Sequence, residues 1–145
     1  MYIKIEGLDS LLKRLDTLDG SLKHAMRKGR EKLTKQVQAQ AKQLAPVDTG
    51  QLKNSIEAVN GSEESIVGTN AEHAIFNEFG TGRLGDPEVP HTEKERWTYM
   101  GADGKFYTTR GMKPRPFMRP AAQFGGKAAP EIFAEEIKKE LERHG

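Results

Sequence analysis

Residues 44–56 read Leu44-Ala45-Pro46-Val47-Asp48-Thr49-Gly50-Gln51-Leu52-Lys53-Asn54-Ser55-Ile56, and the break in backbone regime inside them decides the fold. Pro46 has no amide hydrogen and disfavours helix in the residue before it, so a helix arriving from the N-terminal side ends at Ala45. Asp48 can then cap a second helix, with Gln51 three residues on reaching back to it. Val47 and Leu52 are placed as a hydrophobic staple across that cap. Together with Thr49 and Gly50, these residues predict an elbow that turns the chain out of a long helix into a short one.

Working backward from the elbow, Leu22, Met26, Leu33, Val37, Ala41 and Leu44 recur mostly at steps of four or seven. That is a narrow apolar stripe on one long helix whose other faces are Lys, Arg and Gln, with Ser21 as its expected cap. Leu8, Leu11, Leu12, Leu15 and Leu18 also fall at helical spacing, and Tyr2 to Glu6 alternates as a short strand ended by Gly7. Working forward, Ser55–Val59 and Ser65–Thr69 read as two strands joined at Asn60-Gly61, a hairpin signal.

Residues 83–115 hold Pro87, Pro90, Pro114 and many charges, which is loop composition. Inside this stretch, Trp97–Met100 and Lys105–Thr109 flank Gly101-Ala102-Asp103-Gly104 and predict a β-hairpin arm carrying four aromatic side chains. Pro120 sits where a first helical turn tolerates it. Phe124, Ala128, Phe133, Ile137 and Leu141 mark the apolar side of a last helix, which Gly125-Gly126 is expected to kink or interrupt. The expectation is a single α+β domain over 1–145. A long N-terminal helix and a C-terminal helix pack on a small antiparallel β-sheet, with 83–115 as an extended loop and β-hairpin arm.

Composition limits what such a chain can do. Its 145 residues carry 23 Lys and Arg against 21 Asp and Glu, a net charge of +2, and no cysteine. A dedicated polyelectrolyte is excluded, as are disulfide scaffolds, thiol nucleophiles and thiolate metal sites. No apolar run approaches the roughly 20 residues of a membrane-spanning helix, so no membrane association is expected. A mean hydropathy of −0.72 with 35% hydrophobic residues is low for a chain that folds alone. An extended subunit completed by its neighbours explains it, and so do large disordered loops. The charge is also segregated: residues 21–46 sum to +6, residues 47–82 to −5 and residues 83–120 to +3. Adjacent blocks of opposite sign suit contacts between copies as well as balance within one fold.

Candidate chemistry is sparse. Gly80-Thr81-Gly82-Arg83-Leu84-Gly85 spells a dinucleotide-binding pattern, but Asp86-Pro87-Glu88-Val89-Pro90 follows it and cannot open the helix that pattern needs. The histidines (His24, His73, His91, His144) have no partners at metal-ligand spacing, so neither metal nor cofactor is expected. No Ser or Thr stands near a His and an acid as a nucleophile requires, and no enzyme is read from the chain. The alternative with some physical basis is a small basic nucleic-acid-binding protein. Arg110, Lys113, Arg115 and Arg119 interleave with Phe106, Tyr107 and Phe117, and the 21–46 helix supplies a second basic surface.

Three segments in order carry a family likeness. Ala45-Pro46-Val47-Asp48-Thr49-Gly50-Gln51-Leu52-Lys53-Asn54-Ser55-Ile56 follows a long basic helix. Ala74-Ile75-Phe76-Asn77-Glu78-Phe79-Gly80-Thr81-Gly82 comes about 20 residues later, and Arg115-Pro116-Phe117-Met118-Arg119-Pro120-Ala121 precedes the last helix. Over about Leu8 to Leu141 the chain resembles the tail-component family of tailed phages and prophages, typified by the gene-product-ten-like proteins of lambdoid head–tail joining modules. The resemblance implies an α+β fold and a structural virion protein, made in the host bacterial cytoplasm. It also implies a homo-oligomeric ring, expected as a hexamer, at the neck or upper tail around the DNA channel. Its partners would be head-closure and tail-tube proteins. The family motifs imply architectural roles for Val47, Asp48, Thr49, Gly50, Leu52, Glu78, Phe79, Gly80, Gly82, Pro116, Phe117, Arg119 and Pro120. On this reading Trp97, Tyr99, Phe106 and Tyr107 are the expected subunit-interface anchors. Arg27, Lys28, Arg30 and Lys35 are the expected weak, non-specific contacts to DNA in the lumen.

Overall fold

The computed structural model describes residues 1–5, 20–47 and 50–144. Along the chain come β1 (Tyr2–Ile5), α1 (Gly20–Leu44), α2 (Gln51–Ser55), β2 (Glu57–Asn60), β3 (Ser65–Gly68) and α3 (Ala74–Phe79). They are followed by β4 (Trp97–Met100), β5 (Phe106–Thr109) and α4 (Met118–His144). The architecture is α+β. Strands β1, β3 and β2 form an antiparallel sheet in that spatial order, with Ile3 opposite Val67 and Val67 opposite Ala58. These three side chains share the face turned toward the helices.

Helices α1 and α4 pack along each other, and their apolar sides meet the sheet. Leu33, Val37, Ala41, Ala45, Ile56, Val67, Phe117, Met118, Ala121 and Ile132 form the buried core. The pair can approach closely because each helix puts a glycine where the other presents a side chain. A Cβ added at Gly29 would lie 2.5 Å from Phe133 Cδ1, and one at Gly125 would lie 2.6 Å from Val37 Cγ2. Lys32 and Glu136 are ion-paired across the same contact. Helix α1 also grips the sheet at two points. Gln38 Nε2 donates to the Ile56 carbonyl at 3.1 Å, and Arg30 Nη2 donates to the carbonyls of Gly61 and Ser62 at 2.6 and 3.2 Å.

Several local expectations are corrected. Ser21 lies inside α1, which starts at Gly20, so it does not cap the helix. Helix α2 begins at Gln51, with Gly50 in the cap position at φ 78° and no side-chain cap bond. Gln51 is therefore the first helical residue, not the third. Asp48 and Thr49 themselves lie outside the described residues, as does the leucine-rich stretch 8–18. Val47 is 66% exposed, so no staple closes over Leu52. Ser55 belongs to α2 and not to a strand. The β2–β3 connection uses four residues, with the Gly61 amide donating to the Glu64 carbonyl at 2.8 Å, rather than a two-residue Asn-Gly turn. Finally, α4 runs unbroken through Gly125-Gly126 and Pro130, because burial of Gly125 against α1 offsets its poor helix propensity. Leu141, expected on the apolar side, is 63% exposed.

Candidate functional site

Two of the three sequence segments, 74–82 and 115–121, converge on one side chain. Helix α4 has no acidic residue in its first turn to receive its free amides. Glu78, on α3, supplies the acceptor from 39 to 41 residues away. Its Oε2 accepts from the amides of Phe117 and Met118 at 2.8 and 2.9 Å. Its Oε1 accepts from the Arg119 amide at 2.9 Å and from Arg119 Nε at 3.0 Å. Glu78 is fully buried, and a carboxylate in that position is tolerable only because four donors and the positive end of α4 surround it. Such an arrangement orients backbone. It leaves the carboxylate oxygens saturated, with no evident vacancy for a substrate proton.

Arg119 completes the joint. Its Nη2 donates to the Glu78 carbonyl at 3.0 Å and its Nη1 to Asp86 Oδ2 at 2.8 Å, while its guanidinium sits 4.7 Å from the Phe79 ring centre. Hydrogen bonds from the Glu88 amide and from Arg119 hold the Asp86 carboxyl below its usual range, and Asp86 and Glu78 in turn raise Arg119. Pro116 and Pro120 flank the joint, and Phe117 between them is wholly buried in the core.

The next few residues tie the arm to this joint. Thr81 and Met112 exchange backbone hydrogen bonds at 2.8 and 3.1 Å, and the Arg115 amide donates to the Asn77 carbonyl at 2.7 Å. Gly80 is at φ 72° and a Cβ there would lie 2.5 Å from the Met112 carbonyl oxygen. Gly82, at φ 65°, lets the Trp97 ring close over it. The glycine spacing of residues 80–85 is thus a tight crossing, and Gly82–Leu84 forms a single 3-10 turn, not the start of a phosphate-binding helix.

Beyond that base, β4 and β5 pair as a separate ribbon, with Trp97 opposite Thr109, Tyr99 opposite Tyr107 and Met100 opposite Phe106. Trp97 is half-buried; Tyr99, Phe106 and Tyr107 are exposed, Phe106 at 75%. The ribbon shares one open apolar cleft of about 900 Å³ with α3, lined by Leu52, Ile75, Phe76, Phe79, Trp97 and Tyr99 among others.

The expected DNA-facing residues separate. Arg27, Lys28 and Lys35 are exposed on α1, whereas Arg30 is buried and holds the β2–β3 turn, because its long side chain reaches two carbonyls there. The basic cluster of the nucleic-acid alternative is also partly committed: Arg119 serves the joint and Arg115 Nη2 donates to Asn77 Oδ1 at 3.1 Å. Among the described residues, no group of three His, Asp or Glu side chains is placed to hold a metal, and no helix is long and apolar enough to cross a membrane. The capping role of Glu78 and the part of Asp86 escaped sequence reasoning. The available signal was a helix start, Arg115-Pro116-Phe117-Met118, without any capping side chain of its own.

Residues 9–80, about half of the chain, match the family described as "Bacteriophage HK97-gp10, putative tail-component". The matched stretch includes the elbow, the sheet hairpin and Glu78; the arm and α4 lie beyond it. No curated protein and no solved structure gave a significant match.

Proposed function

Because the chain belongs to the HK97-gp10-like family of phage tail components, we propose that it is a structural joining piece of the virion. In this reading, copies form a ring at the head–tail interface around the DNA channel, between head-closure and tail-tube proteins, and complete the neck or the tail. One observation carries the architectural character of the reading: the polar centre where the second and third motifs meet is spent on holding α3 and the start of α4 together. The role is that of a part and not of an enzyme. Arg27, Lys28 and Lys35 on the open side of α1 suit weak contact with passing phosphates, which would fade steeply with salt. Negative-stain imaging and mass photometry of the purified protein, alone and with its tail-tube partner, test this reading. Discrete rings are expected; a strictly monomeric protein that joins no particle overturns it.

A further inference from the structure

The two faces of the β4–β5 ribbon differ in kind. Trp97, Tyr99 and Thr109 line the apolar cleft, and Tyr107 pairs with Tyr99 on that side, their ring centres 6.0 Å apart. The opposite face carries Thr98 and Thr108, whose hydroxyl oxygens are 3.3 Å apart, and Met100 opposite Phe106 at the tip. Arg96 and Arg110 are the next alternate positions along the two segments, each one residue beyond the Trp97–Thr109 pair, and neither lines the cleft.

Two arginines thus stand at the base of one face, one from each strand, where like charges repel unless an anion lies between them. The ribbon supplies none. Residues 96–110 hold Arg96, Lys105 and Arg110 against Asp103 alone, and Asp103 accepts from the Tyr107 hydroxyl and from the Lys105 amide. Just outside, Glu95 is ion-paired with Arg83. Among the described residues, Arg96 and Arg110 are exposed and have neither a hydrogen bond nor an ion pair. Arg30, Arg115 and Arg119, by contrast, are each bonded within the fold.

An anion between two guanidinium forks with two hydroxyls beside it has the surroundings that suit a phosphate. Exposed Lys105 toward the tip, and exposed Lys94 and Lys113 toward the base, extend the positive charge along the arm. A polymer of phosphates meets such a row where a lone carboxylate does not. A two-stranded ribbon is also slim enough to enter the major groove of a duplex, which is roughly 12 Å wide.

We propose that this outer face of the arm binds the phosphate backbone of duplex DNA, with Arg96 and Arg110 as its main contacts and Thr98 and Thr108 beside them. The surface is separate from the open side of α1. It deepens the reading of a part set around a DNA channel and rests on that reading for the DNA it meets. Contact with phosphate alone is independent of sequence and sensitive to salt.

Fluorescence anisotropy of a short labelled DNA duplex, titrated with the purified protein over a salt series, tests the proposal. Arg96→Gln/Arg110→Gln is expected to keep the wild-type circular dichroism and melting profile and to bind several-fold more weakly at low salt. Its line of log K against log salt should be shallower by about 2. Lys127→Gln/Lys138→Gln removes the same charge from exposed positions on α4 and should bind nearly as the wild type does. Equal losses in the two double variants would reduce the effect to net charge and overturn the proposal. So would undiminished binding by the arginine variant, a wild type that binds no duplex at low salt, or displacement of the duplex by polyglutamate as readily as by unlabelled DNA. Rings seen beside any of these results leave the ring reading standing. Arginine-dependent DNA binding by a protein that stays monomeric with its tail-tube partner would overturn the ring and keep the contact.

Discussion

Glu78 Oε1 lies 2.9 Å from the amide nitrogen of Arg119 and 3.0 Å from its Nε, so one oxygen holds both the backbone and the side chain of a residue 41 positions away. Helix α4 therefore starts where α3 puts it, and the arm base hangs from the same point. The carboxylate acts as a remote N-cap: it supplies in trans what the local sequence Pro116-Phe117-Met118 lacks.

Substitution at Glu78 should cost more than substitution at Arg119. Glu78→Gln keeps the shape but puts an NH₂ group against backbone donors in a buried place, for a loss of about 3 kcal/mol. Arg119→Ala should lose about 1 kcal/mol, because the Arg119 side chain is 43% exposed and the three backbone bonds to Glu78 survive. Urea unfolding of the two variants decides it, and equal losses would contradict the capping account.

Neighbouring glycines should respond with opposite sign. Gly125→Ala drives a Cβ into Val37, a β-branched residue with little rotamer freedom on a helix, and should destabilise by about 1–3 kcal/mol. Gly126→Ala meets nothing within 4 Å and should gain up to about 1 kcal/mol from helix propensity. Thermal melts of the two single variants read the difference. Two melts moving the same way would mean that the α1–α4 contact is looser than the structure has it.

The arm base should come undone without loss of the sheet. Gly111 is at φ 98°, and a Cβ there would lie 2.4 Å from the Thr81 carbonyl oxygen. Gly111→Ala should open the Thr81–Met112 bridge and speed proteolysis within 85–115 at least several-fold, with helical circular dichroism unchanged. Wild-type cleavage rates would show that the crossing does not anchor the ribbon.

Acid should weaken the fold through identifiable carboxylates. The Asp86 carboxyl is lowered first by the Glu88 amide and then by Arg119, and the Glu136 carboxyl is lowered first by the hydrogen bond from Lys32. Both folded values lie below the unfolded ones, so the stability they contribute is complete above about pH 4–5 and drains away as pH falls through the folded values. Asp86→Asn and Glu136→Gln should each lower the melting temperature at pH 7 and flatten its decline in acid. Curves parallel to wild type would rule these groups out.

What was legible in the sequence was what depends on near neighbours. Pro46 ends α1, alternation around Ile3 and Ile5 marks β1, and the glycines at 101 and 104 mark the ribbon turn. The capping of α4 was not legible, since its acceptor lies 39–41 residues away and nothing local points to Glu78. Gly29 and Gly125 look like defects in a helical stripe until the facing helix shows them to be notches. Arg30 was misplaced for a similar reason: a cation on a basic helix suggests solvent, yet a long side chain can bury itself when two carbonyls wait at its end.

The central claim, a structural part that joins head to tail, is tested most directly by electron microscopy of particles assembled without this chain. The account predicts DNA-filled heads and separate tails, restored to joined virions when the protein is added back. Normal numbers of intact tailed virions in its absence would contradict it.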